Sequence, residues 1–515
     1  MNKKEWESMD EMDFECLLEN SVSELPPEDV VADVTPWKKA MNRVLIGMAL
    51  SAITLNFLCL DYILPAIGMV LSILGFRTLR RENQWFGACF VITLLRAAYL
   101  LPSLILNTTI YHGGVYASAI GSVLSVSNIG LLFALFFCLR SGLRAVQQKV
   151  DLTPHAGGAV ALIVWYALLC ALALIQYSGY VIAGTMIVGY IFIIRSLFKL
   201  SKELDEAGYA IQTAPARVSD RAIVTGVVAV LLVGCACGYL FGDSYDMAWE
   251  ALNAEEHSEV QGIKEALIER GFPEHILNDM SAEDIAACEG AMQVLVDVHD
   301  HPVNEGRVVE TKKPGEPGSG ATWVIHRTTV YDVKELRITG VAVELPGERE
   351  SWRIIHHFEW TTNPGFFGTE SIQLWPAYNN GKGWGSAGDV TGRVLYDKDG
   401  SSYVAPYHFL GKETFTSSSM FFGESTSTDV FAAFSLPNSG VRQRGYVSYP
   451  IIEMQDGWIT DAWINYTHQV SRFQYPVMTA MEKRMTNTWR EAGAFLTIQD
   501  ALQFYSTDDG ANLLN

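Results

Sequence analysis

The sequence predicts a polytopic α-helical membrane domain of about seven transmembrane helices, joined to an α+β extracytoplasmic domain with an antiparallel β-sandwich. Three observations carry this reading. Apolar residues crowd into the stretch from Met41 to Phe241. Lys and Arg are confined to alternate loops of that stretch. After about residue 321 the hydrophobic period changes to two, the period of a strand with one face buried.

The 515-residue chain is 49% hydrophobic and 18% charged, whereas soluble proteins carry about 25% charged residues. Crossing about 30 Å of hydrocarbon takes about 20 mostly apolar residues. Seven segments qualify, near 43–60, 62–79, 85–106, 115–139, 158–176, 179–199 and 222–242. The first two are read as a tight hairpin turning at Leu60-Asp61-Tyr62, because a single helix would far exceed the bilayer and bury Asp61 in it.

Orientation follows from the positive-inside rule, under which Lys and Arg gather in short cytoplasmic loops. Lys38, Lys39 and Arg43 precede the first span, and Arg77, Arg80 and Arg81 follow the second. Arg140, Arg144 and Lys149 follow the fourth; Arg195, Lys199, Lys202, Arg217 and Arg221 lie between the sixth and seventh. The intervening loops, around Asp61, from Asn107 to Gly114 and around Gln176, hold no Lys or Arg. With seven spans every basic loop falls on one side. The N-terminus is then cytoplasmic, and everything after Phe241 lies outside a plasma membrane.

The expected domains are an acidic cytoplasmic tail (1–36), the transmembrane domain (37–242), a juxtamembrane helical segment (243–300) and a β-rich extracytoplasmic domain with a C-terminal helix (301–515). The tail carries eleven acids against Lys3 and Lys4. It repels nucleic acid and anionic headgroups, so nucleic acid is not an expected partner. It also lacks the basic and apolar regions of a cleaved signal peptide. Trp6, Met9, Phe14, Leu17 and Leu18 approximate a helical stripe within it. That stripe could fold into a groove on a cytoplasmic protein partner, or the tail could be disordered with its apolar residues idle. Of eight cysteines only Cys288 falls in the outer domain. That domain therefore has no internal disulfide and must be held by its core, which suits a bacterium that does not rely on oxidative folding outside the cell.

Chemistry inside the bilayer is sparse. Arg96, midway through the third span, must meet water, a carbonyl or an acid, since an unpaired charge there costs at least about 2.5 kcal/mol. Asp61 is the nearest acid in sequence. These two are the intramembrane polar candidates, read either as a substrate or ion site or as a buried structural pair. Gly234-Cys-Ala-Cys-Gly238 is read as close helix packing through small residues rather than a thiolate metal site.

From Asp246 to about Val298 the pattern reads as helical, with a break at Phe272-Pro273 and a fresh start at Ser281-Ala-Glu-Asp284. Residues 302–321, rich in Gly, Pro, Lys and Glu, read as a connector. Strands are expected at Trp323–His326, Leu336–Leu345, Trp352–Trp360, Gly392–Tyr396, Val430–Phe434, Gly445–Tyr449 and Trp463–Gln469. A hairpin turn falls at Asp397-Lys-Asp-Gly400, and a helical end runs from about Met478 to Tyr505. Short strands at this spacing suggest a β-sandwich.

In the run Trp375 to Trp384, aromatic rings stand among Asn and Gly. Trp375, Tyr378, Asn379 and Trp384 are therefore candidates for a cell-wall or extracellular ligand, with rings stacking on sugar faces and amides holding hydroxyls; the other reading is that the rings fill the core. Asp297-Val-His-Asp-His301 concentrates metal-ligand types within five residues. It is read as polar residues gathered at a helix end, and no metal is assigned. His356 and His357 would point to opposite faces of a strand. No nucleophile elbow, phosphate loop, dinucleotide fingerprint or zinc-protease motif is present, and no cofactor is expected.

The runs Glu24-Leu-Pro-Pro-Glu-Asp-Val, Thr35-Pro-Trp-Lys-Lys-Ala-Met-Asn-Arg43, Leu60-Asp-Tyr-Ile-Leu-Pro65 and Gly75-Phe-Arg-Thr-Leu-Arg-Arg-Glu82 resemble a group of uncharacterised clostridial multispan membrane proteins. The resemblance is clearest over the N-terminal third. It implies a Gram-positive plasma membrane and assigns no activity. Two functions fit the architecture: a sensor or cell-envelope interaction protein whose outer domain binds a ligand or partner, and a transporter or channel subunit. An envelope enzyme ranks behind both.

Overall fold

A computed structural model describes residues 36–52, 59–175, 179–211, 218–253, 255–303, 307–314, 323–330, 334–380, 383–419, 423–486, 493–507 and 510–514. The acidic tail before Pro36, and the helical stripe expected there, lie outside the described residues. The chain forms two compact units. One comprises residues 1–106 and 112–235, the other residues 107–111 and 236–515.

The first unit is helical. Its elements are α1 (Pro36–Ala52), α2 (Leu60–Leu79), α3 (Gln84–Leu106), α4 (His112–Ala117), α5 (Ala119–Lys149), α6 (Gly157–Leu174), α7 (Tyr180–Glu206) and α8, Asp220–Phe241, whose last turn enters the second unit. Among the described residues six helices are long and apolar enough to cross a membrane: α2, α3 and α5 to α8. This makes the chain a multi-pass membrane protein in type. The described part of α1 has 17 residues, and the rest of the expected first span, 53–58, lies outside the described residues. The helix starts at Pro36, seven residues before the expected span, so Trp37, Lys38 and Lys39 are helical.

The α1–α2 hairpin forms because small residues let two backbones touch. A Cβ added to Gly47 would stand 2.5 Å from the Gly68 carbonyl oxygen, and one on Gly75 2.7 Å from that of Ala40. The basic ends of the helices converge. Asp220 lies 2.8 Å from Arg43 and 3.5 Å from Arg77, Glu82 accepts from Tyr209 at 2.7 Å, and buried Trp37 donates to the Ser201 carbonyl at 3.2 Å. Away from that end, α5 to α8 turn Val, Ile, Leu and Phe outward, which in water would be an aggregating surface and in lipid is solvated.

The second unit is an antiparallel β-sandwich. One sheet runs β1 (Glu250–Ala251), β10 (Ser401–Pro406), β9 (Thr391–Lys398), β13 (Val441–Glu453), β6 (Ser351–Trp360), β5 (Glu335–Leu345) and β2 (Val294–Pro302), with β8 (Trp384–Ser386) also on β13. The other runs β11 (Phe409–Ser419), β12 (Gly423–Phe434), β7 (Glu370–Trp375), β14 (Thr460–Gln469), β15 (Phe495–Thr507) and β16 (Gly510–Leu513). A separate hairpin pairs β3 (Arg307–Pro314) with β4 (Trp323–Val330). Inward residues of both sheets, among them Ile338, Ile354, Phe358, Ile372, Phe434, Ile464 and Leu502, form one core.

The short helices α9 (Gln261–Glu269), α10 (Glu274–Asp279) and α11 (Ala282–Ala286) cover the outer face of the first sheet. Leu267, Phe272, Ile276 and Ile285 pack there on Val341, Val343, Ile355 and Tyr446. Three acids of this segment meet three arginines of the sheet: Asp284 with Arg353 at 2.7 Å, Asp279 with Arg444 at 2.8 Å, and Glu256 with Arg393 at 2.7 Å.

Three expectations are corrected. The helical reading to about Val298 fails, because α11 ends at Ala286 and residues 294–302 form edge strand β2. The helical end expected from Met478 to Tyr505 is the six-residue α12 (Ala480–Met485) followed by strand β15. The connector expected over 302–321 contains β3; residues 304–306 and 315–321 of it lie outside the described residues.

Candidate functional site

The strongest site is built at an open edge of the sandwich. In β2, Asp297 pairs with Gly340, His299 with Ile338 and His301 with Leu336. Opposed residues share a face, and Leu336, Ile338 and Ala342 lie in the core. Asp297, His299 and His301 therefore occupy inward positions on an edge strand. In β15 the inward set is Ile498, Asp500, Leu502 and Phe504, with Asp500 as its polar member. The two edges meet.

His299 Nδ1 lies 3.1 Å from Asp500 Oδ1, and His301 Nε2 lies 3.2 Å from Asp500 Oδ2. On the other side of its ring, His299 Nε2 lies 3.5 Å from Asp297 Oδ1. One imidazole is thus held between two carboxylates, and one carboxylate spans two imidazoles. His299 is 50% exposed at its side chain and Asp500 11%, so the cluster runs from solvent into the sandwich. Asp300, between them in sequence, faces the other way and takes two hydrogen bonds from Arg337.

Behind this edge stands His356, opposite Gly340 on the inner face of β6 and fully buried, with no hydrogen-bond partner at Nε2 among the described residues. Burial pushes its imidazole down to about 4, with the Asp500 carboxylate acting weakly upward. A second inward pair, Glu370 and His468, lies 2.7 Å apart and is sealed in the core under Trp360. As expected, His357 points to the opposite face from His356, where its Nε2 meets Asp279 at 2.9 Å.

The remaining candidates are dispersed. Trp375, at the end of β7, is 48% exposed, while Trp384 is buried in the core with its Nε1 donating to the Ile459 carbonyl at 3.2 Å. The Tyr378 ring stands 6.0 Å from Tyr449, and Asn379 Nδ2 reaches the Thr428 carbonyl at 3.5 Å. The four do not form one exposed stacking platform. In the helical unit Arg96 Nε donates to Asn128 Oδ1 on α5 at 3.2 Å, and Asp61 lies in the first turn of α2. Asp397 meets Arg442 and Arg444, and Asp399-Gly400 forms the hairpin turn with positive φ at both residues.

Fold and site together define a polytopic membrane protein with a β-sandwich domain whose open edge carries a histidine–carboxylate cluster. No family model matches the chain, and no curated protein matches it.

Proposed function

We propose that this is a multi-pass plasma-membrane protein whose sandwich domain lies outside the cell and binds a ligand or partner, in the manner of a sensor or envelope-interaction protein. The carrying observation is the inward-facing cluster of Asp297, His299, His301 and Asp500. Four ionisable groups at sandwich-core positions, open to solvent at one edge, suit ligand capture better than packing.

The orientation rests on charge and parity. Arg43 and Arg77 meet Asp220 at the start of α8, so the basic loops gather at that end, and the positive-inside rule makes it cytoplasmic. A 22-residue helix rises about 33 Å, so the chain after Phe241 would emerge on the far side. Within the second unit, Ile110 N–H donates to the Gly242 carbonyl and Val477 N–H to that of Asn107, both at 2.8 Å. These contacts support a reading in which the four spans between them, α5 to α8, return the chain to one side. The resemblance to clostridial proteins favours a Gram-positive envelope.

The acidic tail would report inside, through a cytoplasmic protein. Proximity labelling from the tail in intact cells tests this half. Deleting residues 1–35 should remove specific neighbours, and an unchanged set of neighbours would remove the reporting role.

A further inference from the structure

We propose that His299, His301 and Asp500 form a binding site for a divalent transition metal of the zinc class, with Asp297 as the carboxylate that orients His299. This names the ligand class of the outer domain's site and rests on the reading above.

The donor set comes from two strands of different sheets, which fixes it more firmly than a run of neighbours would. One atom from each of the three residues lies within 4.8 Å of the others. The separations from Asp500 oxygens to His299 Nδ1 and His301 Nε2 are 3.1 and 3.2 Å. A tetrahedral centre with bonds of about 2.0–2.2 Å sets its ligand atoms about 3.3–3.6 Å apart. The two histidine–carboxylate separations, each to its own Asp500 oxygen, are close to that spacing, and the whole set, within 4.8 Å, would draw together around the ion.

Imidazole and carboxylate together suit zinc and its neighbours rather than calcium or magnesium, which favour all-oxygen cages. A metal on His299 Nδ1 leaves Nε2–H on the side of the ring facing Asp297, 3.5 Å away. That is the carboxylate–histidine–metal arrangement that fixes the ring's tautomer and raises its basicity. Three protein ligands leave a position open toward solvent, where an anionic or carbonyl group of an extracellular ligand can bind.

The test uses full-length, tag-free protein in detergent after chelator treatment, titrated with Zn²⁺ by calorimetry and with Co²⁺ by visible absorption. One equivalent should bind, with the intense band of four-coordinate cobalt and no thiolate charge transfer. Asp500→Asn and His301→Gln should each weaken binding about 100-fold or more, and Asp297→Asn about 10- to 100-fold. Asp300→Asn, on the opposite face, should leave it unchanged. On the wild-type chain alone, Zn²⁺ should protect His299 and His301 from diethylpyrocarbonate; this readout stands even if a variant misfolds. Absence of saturable binding, equal affinity in Asp500→Asn, or a thiolate signature pointing to Cys235 and Cys237 would overturn the proposal. Metal binding to purified protein is indifferent to membrane sidedness, so its failure and a failure of the outward placement are read separately.

Discussion

His299 and Asp500, 201 residues apart in the chain, meet at 3.1 Å across the open edge of the sandwich, and with His301 they are a polar clasp between its two sheets. Other polar links between the sheets, Trp360 Nε1 to the Tyr466 hydroxyl and the Gln293 amide to the Ala511 backbone, lie away from this cluster. Removing the carboxylate in Asp500→Ala should therefore loosen this edge in particular. A loss of about 1–2 kcal/mol, as for a charge-assisted hydrogen bond pair, accelerates exchange of β2 and β15 amides about 5- to 30-fold. Hydrogen exchange on the metal-free chain measures it. Uniform acceleration across the whole sandwich would contradict a local clasp.

His356 makes stability pH-dependent. Its imidazole titrates at about 4 in the fold, against 6.5 when unfolded, chiefly through burial. Between those values the unfolded chain binds more protons than the folded one, so stability is full above about pH 6.5 and falls as pH drops toward 4. The window is worth roughly 3 kcal/mol. Denaturant unfolding followed by tryptophan fluorescence should show this slope, and His356→Phe should flatten it.

The helical cap on the first sheet depends on Asp284. Its carboxyl is pushed up by burial, but hydrogen bonds from Thr391 and Tyr446 and the charge of Arg353 outweigh that and hold it below the usual range. Asp284→Ala leaves Arg353, 9% exposed at its side chain, buried without its carboxylate. The expected cost is about 3–5 kcal/mol, read as a lower unfolding midpoint. Double replacement of Asp284 and Arg353 by apolar residues should recover much of the loss.

The α1–α2 hairpin depends on Gly47. A Cβ there would stand 2.5 Å from backbone and from the Ser72 hydroxyl, so Gly47→Leu must part the helices. The expected result is a clear fall in monodisperse protein in mild detergent. Gly184→Leu, where an added Cβ meets nothing within 4 Å among the described residues, should be tolerated.

The sequence made the bundle legible because length, hydropathy and loop charge all point one way, and it made β5, β6, β12, β13 and β14 legible because most of their inward positions are apolar. It hid β2 and β15 for the opposite reason. Leu295 is followed by inward Asp297, His299 and His301, so the strand loses its apolar alternation where the site begins. In β15 inward Asp500 interrupts the series and leaves Ile498 and Leu502 four apart, the spacing of a helix. The residues that make the candidate site are the ones that disguise its strands. A reading that admitted polar residues at inward positions of an edge strand would have placed Asp297, His299 and His301 on one face. The partnership with Asp500 has no local signal. Trp384 shows the converse: its Gly- and Asn-rich neighbourhood reads as an exposed loop, whereas its ring is needed in a core that has no disulfide.

The proposed placement of the sandwich domain on the side opposite the basic loops is tested most directly by thiol labelling of intact cells. Single cysteines at Lys202, exposed at the basic end of α7, and at Ser401, in the exposed hairpin after β9, are introduced into a cysteine-free chain and treated with an impermeant reagent. Labelling at Ser401 and not at Lys202 is the result the account predicts. Labelling at Lys202 and not at Ser401 would contradict it, inverting the protein and removing the extracellular role of its site.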